Sequence, residues 1–137
     1  MKRRQFVGGL VLTAAAGMAQ EHAQHSHGAA RDMLIHTASD CVVTGEVCLA
    51  HIHEMLAQGD KALAPCARSV SELTAVCEAL RALAAQNAPA LAKQAAVAMD
   101  VCNRCEAECR KHEKTHSPCK NCADACAACS TECRKMA

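Results

Sequence analysis

The chain has 137 residues, among them twelve cysteines, eight histidines and six methionines, but one phenylalanine and no tyrosine or tryptophan. This length fits one domain of ordinary size. The scarcity of aromatic residues excludes a stacking platform for single-stranded nucleic acid, and a formal net charge of +1 excludes a phosphate-binding basic patch, so we expect no nucleic-acid partner.

The N-terminal segment 1–19 has the features of an export signal. Its basic start leads into a weakly apolar run, and the small residues Gly17 and Ala19 fit a peptidase site. Residues 3–6, Arg-Arg-Gln-Phe, are similar to the twin-arginine signal, and the run is too short to span a bilayer. We predict a signal peptide, twin-arginine export to the periplasm and no membrane span. A general secretory signal and a retained N-terminal anchor are the alternatives.

A polar, histidine-rich segment over 20–30 is predicted to be a flexible arm. Cleavage after Ala19 would leave Gln20-Glu21-His22 at the new N-terminus, where the free amine, the backbone nitrogens and the His22 imidazole can hold Cu(II). A polar tail without a metal is the simpler interpretation, and the intact mass of the exported protein distinguishes the two.

Helical periodicity extends from residue 31 to the C-terminus, and three short segments interrupt it. Gly59 is a C-cap glycine, Pro65 is tolerated only in a first helical turn, and Ser117 is an N-cap followed by Pro118. Short loops between long helices predict an all-α fold, an antiparallel up-down-up-down four-helix bundle. The predicted helices cover about 31–58, 65–86, 87–115 and 117–137.

Cysteine takes the place of large apolar residues along one face of each predicted helix. Five cysteines in the fourth helix are separated by 3, 4, 3 and 4 residues, which is the a/d pattern of a helix core. Separations of 7 and 11 in the first and second helices also return to one face. We therefore predict a Cys-lined core whose metal ligands are Cys41, Cys48, Cys66, Cys77, Cys102, Cys105, Cys109, Cys119, Cys122, Cys126, Cys129 and Cys133.

Antiparallel packing assigns these cysteines to the two ends of the bundle. One end is predicted to hold Cys41, Cys77, Cys102 and Cys133, and the other to hold Cys48, Cys66, Cys109 and Cys119.

These thiols have several conceivable roles. Cysteine can fill a core as a small apolar residue, although this suits one or two cysteines better than twelve. A disulfide-bonded structural or redox protein fits the even count, but cysteine pairs three or four residues apart in a helix do not readily meet disulfide geometry. Cu(I) accepts two or three sulfur ligands, whereas Zn²⁺ requires four. Multiple Cu(I) ions are therefore the preferred ligand, a Zn²⁺ or mixed-metal detoxification sponge is the alternative, and no motif indicates an enzyme.

Two cysteine motifs in the third and fourth helices resemble those of the exported copper storage proteins. They are Cys102-x2-Cys105-x3-Cys109-x2-His112 and Cys119-x2-Cys122-x3-Cys126-x2-Cys129-x3-Cys133. The resemblance covers 31–137, which we take as the metal-storage domain. It implies Cu(I) stored along the bundle interior, a homotetramer, and either supply to copper enzymes or protection from copper. Ile52 departs from the pattern, because family members can carry another inward cysteine one turn after Cys48.

Histidine and methionine near the bundle ends are weaker metal candidates, because copper must reach the thiols through an end. We predict that Met33 and His36 meet Met99 and Met136 at one end. At the other end, Met55, His51 and His53 are predicted to meet His112 and His116. Solvated histidines and methionines that only pack in the core are the alternative. The weaker candidates are Met33, His36, Met55, His112, His116 and Met136.

Overall fold

The computed structural model describes the backbone of residues 15–136 and the side chains of residues 28–136. A short 3-10 helix, Lys61–Leu63, follows the first long helix. Each long helix packs against the next, and the last packs back against the first, so the helices form a closed antiparallel ring. The all-α four-helix bundle is confirmed, and residues 15–136 contain no strand. The long helices are α1 (Ala15–Ala57), α2 (Ala64–Ala85), α3 (Leu91–Arg110) and α4 (Ser117–Arg134).

Helix α1 begins at Ala15, so the backbone over 20–30 is helical where the sequence predicts a flexible arm. The segment is rich in alanine and has no proline to interrupt the hydrogen bonds of the helix. Residues 1–14 and the side chains of Gln20, Glu21 and His22 lie outside the described residues. The signal peptide and the N-terminal Cu(II) site therefore remain predictions.

The observed helix ends agree only in part with those predicted from the sequence. Gly59 ends α1 with a φ of +97°, a left-handed conformation that glycine adopts without strain. Helix α3 ends at Arg110, and residues 111–115 form turns rather than a continuation of the helix. The prediction of Ser117 as an N-cap is wrong, because the extended residue before α4 is His116 and Ser117 is already helical.

Polar contacts also join neighbouring helices. Arg104 of α3 donates hydrogen bonds of 3.0 Å from both Nη atoms to the Glu72 carboxylate of α2. Between α3 and α4, the Ser130 hydroxyl donates to Asn103 Oδ1 over 2.6 Å. These contacts connect consecutive helices outside the thiol core.

Cysteine, alanine and a few branched aliphatic residues make up the core. All twelve cysteine side chains have 0% exposure. At the end where α1 enters the core and α2 leaves it, the buried residues include three leucines, Leu34, Leu80 and Leu91. We call this the aliphatic end. Ile52, which departs from the cysteine pattern, is also fully buried and lies toward the opposite end of α1.

The outer face of α1 carries two exposed valines among charged residues such as Asp40 and Glu46. Val43 and Val47 are 60% and 56% exposed. By length and mean hydropathy (1.2), Gly28–Ala57 would suffice to cross a membrane. In this fold, however, the face of α1 that carries Cys41 and Cys48 lines the core of the bundle.

Gly45 allows close packing of α1 on α2, because a Cβ at this position would lie 2.6 Å from Thr74 Cγ2. We expect Gly45→Ala to lower the free energy of unfolding by about 1–2 kcal/mol, since overpacking outweighs the better helix propensity of alanine. Gly28→Ala is the matched control, as a Cβ there meets nothing within 4 Å. Urea unfolding followed by circular dichroism measures both, and a Gly45→Ala protein as stable as the control contradicts this packing.

Candidate metal centre

The four helices bring their thiols into contact across the core. Five pairs of sulfur atoms lie 3.5–4.0 Å apart, three of them between different helices. The pairs between helices are Cys66–Cys109 at 3.5 Å, Cys48–Cys119 at 3.8 Å and Cys77–Cys102 at 4.0 Å. The pairs within one helix are Cys105–Cys109 and Cys129–Cys133, both at 4.0 Å.

The sulfur atoms also form four groups in which all members lie within 4.8 Å of one another, close enough to bind one metal ion. Cys48 and Cys122 each belong to two groups, so neighbouring sites share ligands. One group has four members, and each comes from a different helix. The groups are Cys41–Cys77–Cys102–Cys129, Cys48–Cys66–Cys119, Cys48–Cys109–Cys122 and Cys105–Cys122–Cys126.

The positions of the cysteines along the bundle follow the sequence prediction with one difference. Cys41, Cys77 and Cys102 come together, as do Cys48, Cys66 and Cys119. The residue of α4 level with Cys41 is Cys129, however, whereas the prediction placed Cys133 there. Cys133 lies one turn farther along α4, where it contacts Cys129.

The thiols differ in acidity. Hydrogen bonding to Cys109 lowers the pKa of Cys48 to about 5, against the opposing effects of Cys119 and burial. At Cys119 the bond to Cys48 favours the thiolate, but Cys66 and burial outweigh it and raise the pKa to about 11. Hydrogen bonding to neighbouring thiols, together with burial, raises the pKa of six others: Cys41, Cys102, Cys109, Cys122, Cys126 and Cys133.

Histidines gather at the bundle end opposite the aliphatic end. His51 Nε2 lies 2.8 Å from His116 Nδ1, and the ring centroids of His112 and His116 are 6.4 Å apart. We call this the histidine end. His53 is exposed and does not join the cluster, while Met55 packs against the core.

At the aliphatic end the predicted cluster does not form as expected. Met33 is 51% exposed and His36 is also exposed, so neither points into the core. The inward position of this turn belongs to Leu34, because the buried stripe of α1 runs through Leu34 and Ala38. Two methionines of the predicted cluster, Met99 and Met136, pack against the core as partly buried residues.

Two polar residues that lie near these sites were not among the site residues predicted from the sequence. Asp60 Oδ2 lies 3.7 Å from His116 Nε2, because the turn after α1 is beside the turn before α4. Ser69 contributes to lowering the pKa of Cys105, after the larger effects of Cys109, Cys122 and Cys126. The Gly59-Asp60 pair indicates a turn, but it does not indicate that Asp60 lies beside His116 in the fold.

A profile of the copper storage protein family matches residues 24–137 of this chain. The chain belongs to the copper storage protein family. The fold is similar to that of a solved structure described as the Cu(I)-bound copper storage protein BsCsp3, with 28% identical residues and a TM-score of 0.70. That comparison covers 79% of this chain and 98% of the other. A search of curated proteins finds no match. The resemblance seen in the cysteine motifs is thus confirmed for this member of the copper storage family.

Copper binding by this storage protein is expected to weaken as the pH falls. The thiols with raised pKa values carry protons at neutral pH, and Cu(I) must displace them. Hydrogen bonds from neighbouring thiols lower the pKa of Cys48 (to about 5), Cys105 and Cys129, so these three are expected to release few protons. For each proton that Cu(I) must displace, the apparent affinity falls about tenfold when the pH falls by one unit. Competition titrations against a Cu(I) chelator between about pH 6 and pH 8, with an indicator dye for released protons, measure this. Uptake that releases no protons would contradict it.

Proposed function

We propose that this protein stores several Cu(I) ions through cysteine thiolates inside its four-helix bundle. The main support is that all twelve cysteines are fully buried and that their sulfur atoms form four groups, three of which share members. The sulfur donors are all buried away from solvent, where a substrate does not reach them, which suits holding ions rather than turnover. Family membership and the likeness to a Cu(I)-bound structure support the choice of metal.

The donor set favours Cu(I) over Zn²⁺. Three of the four groups offer three sulfur atoms, a number that Cu(I) accepts and that leaves tetrahedral Zn²⁺ one ligand short. About one monovalent ion per thiolate also neutralises charge that would be costly to bury. The four-sulfur group around Cys41 is the one arrangement that suits Zn²⁺, and it keeps a mixed-metal sponge as the second candidate.

Copper is proposed to reach the thiols through the histidine end. Both ends contain buried aliphatic residues, the leucines at the aliphatic end and Ile52 and Leu63 at the histidine end. Among the described residues, candidate imidazole ligands border the core only at the histidine end, where His112 and His116 retain 16% and 15% side-chain exposure. Imidazole is a suitable ligand for copper on its way to thiolates. His112, His116 and Met55 thus remain metal candidates, and Met33, His36 and Met136 have less support.

We extend the proposal to location and assembly. The basic, weakly apolar 1–19 segment supports export by the twin-arginine route to the periplasm. Thiols in the periplasm need protection from oxidation, and bound copper would provide it. The exposed Val43 and Val47 on α1 offer an apolar surface for a homotetramer. The stored copper would then supply copper enzymes or be kept from harming the cell.

Copper titration of the reduced protein tests the proposal. Cu(I) is added in competition with a Cu(I) chelator while circular dichroism follows the helices. We expect roughly one Cu(I) per cysteine, about twelve per chain, without loss of helicity. Protein with alkylated thiols is the control and should bind almost none. Uptake that stops at one or two ions would overturn the storage function.

A further inference from the structure

The histidine end has the geometry of a second kind of metal site, one made without sulfur. The ring centroids of His51 and His116 are 5.1 Å apart. Two imidazoles bound through nitrogen to one tetrahedral ion, with bonds of about 2.0–2.1 Å, have centroids about 5 Å apart. Their facing nitrogens, now 2.8 Å apart, need to separate by only about 0.5 Å to admit such an ion.

A third imidazole lies close to this pair. The His112 ring is 6.4 Å from the His116 ring, about 1 Å beyond the spacing that one shared ion requires. Its Nε2 is buried and has no hydrogen-bond partner among the described residues. A buried, unpaired nitrogen is costly, and coordination of an ion would satisfy it. The nitrogens of the three described rings do not all lie within 4.8 Å of one another, so His112 must turn toward the His51–His116 pair to serve as the third ligand.

Carboxylates around the cluster favour a cation. Asp60 Oδ2 is 3.7 Å from His116 Nε2, the nitrogen that faces away from His51. Glu108 Oε1 is 3.9 Å from His112 Nε2. A carboxylate behind a metal-bound histidine orients the ring and makes its other nitrogen a better ligand. Asp60 is placed for this role toward His116.

We propose that His51, His112 and His116, supported by Asp60, form a site for a divalent transition-metal ion such as Zn²⁺. Imidazole ligands suit divalent ions of this class, whereas the thiol groups below suit Cu(I). His51 lies three residues after Cys48, and His116 three residues before Cys119, so the site is directly above the Cys48–Cys119 pair. It uses none of the twelve thiols.

Co²⁺ is the probe that tests this site, because its absorption spectrum separates nitrogen from sulfur ligands. It is titrated anaerobically into protein saturated with Cu(I) and into reduced, copper-free protein. In Cu(I)-saturated protein we expect one Co²⁺ per chain, with visible bands of nitrogen ligation and no intense sulfur-to-cobalt band. In copper-free protein the four-sulfur group around Cys41 also suits a tetrahedral ion, so a sulfur-to-cobalt band is expected there in addition. His51→Gln and His116→Gln should weaken Co²⁺ binding about tenfold or more. Asp60→Asn, which keeps a side-chain oxygen to cap the 3-10 helix, should weaken it by about tenfold.

His53→Gln is the matched control, because His53 is exposed on the same helix and lies outside the cluster. Equal Co²⁺ affinity in His53→Gln, His51→Gln and His116→Gln would overturn the site, as would the absence of nitrogen-ligand bands in Cu(I)-saturated protein. The storage function is judged separately on the same variants by Cu(I) capacity. If the chain fails to take up Cu(I) but loses its Co²⁺ affinity in His51→Gln, the histidine site stands and the storage function falls.

Discussion

Copper-loaded protein is expected to be more stable than the reduced, copper-free protein by at least about 5 kcal/mol. A single site filled at 1,000 times its Kd contributes roughly 4 kcal/mol. The Cys41 group shares no member with the other three groups, so at least two independent sites would contribute roughly 8 kcal/mol. Thiols of the unfolded chain also bind Cu(I), which reduces this gain but does not remove it, because only the folded bundle holds the sulfur groups within 4.8 Å.

The large effect follows from a weak apolar core. Of the 26 buried apolar residues, nine are leucine, isoleucine or valine, and the other seventeen are cysteine or alanine, which bury less apolar surface. Hydrogen bonds from neighbouring thiols, with a smaller effect of burial, raise the pKa of Cys41 and Cys109, so these thiols hold protons until a metal ion displaces them. Metal ions bound there would join the helices through their sulfur atoms.

Urea unfolding of both forms, followed by circular dichroism at a fixed copper concentration, measures this difference. Alkylated protein with added copper is the control and should show no gain. Equal urea midpoints for loaded and copper-free protein would mean that copper does not bind within the folded bundle.

Loss of the two shared cysteines is expected to halve the copper capacity. Cys48 and Cys122 belong to two groups each, so Cys48→Ala with Cys122→Ala breaks three of the four groups and leaves the Cys41 group intact. We expect the capacity to fall by about half, well beyond one ion per lost thiol, and ions at the broken sites to bind about tenfold more weakly or worse.

A second double variant with the same number of thiols removed provides the comparison. Cys66→Ala with Cys133→Ala breaks one group, because Cys133 belongs to none. This variant should lose about two Cu(I) ions, one per missing thiol. Chelator competition measures both capacities, and circular dichroism verifies the fold. Equal losses in the two variants would show that the thiols bind independently of the groups.

Much of this fold could be predicted because cysteine spacing is a geometric constraint. Separations of three and four residues keep successive side chains on one helix face, so the five cysteines of α4 had to point in one direction. Short loops between long helices then required antiparallel neighbours. The axial offset between helices is not contained in this pattern, which is why Cys129 and not Cys133 lies level with Cys41.

Predictions at the bundle ends were less successful, because the helix phase and the packing of the turns determine which side chains meet there. Met33 is one residue from the inward Leu34, and this single step of about 100° is enough to expose it. At the other end, the meeting of His51 with His116 followed from topology. The contribution of Asp60 depends on how two turns pack, which a single sequence does not specify.

The metal content of the protein purified under reducing, oxygen-free conditions from the cells that produce it tests the storage of Cu(I) most directly. Elemental analysis and intact mass together give the ions per chain and the state of the twelve cysteines. Storage predicts several copper ions per chain, little zinc and no disulfide bonds. Protein that carries zinc instead of copper, or that has lost two hydrogens for each of several cysteine pairs and holds no metal, would contradict it.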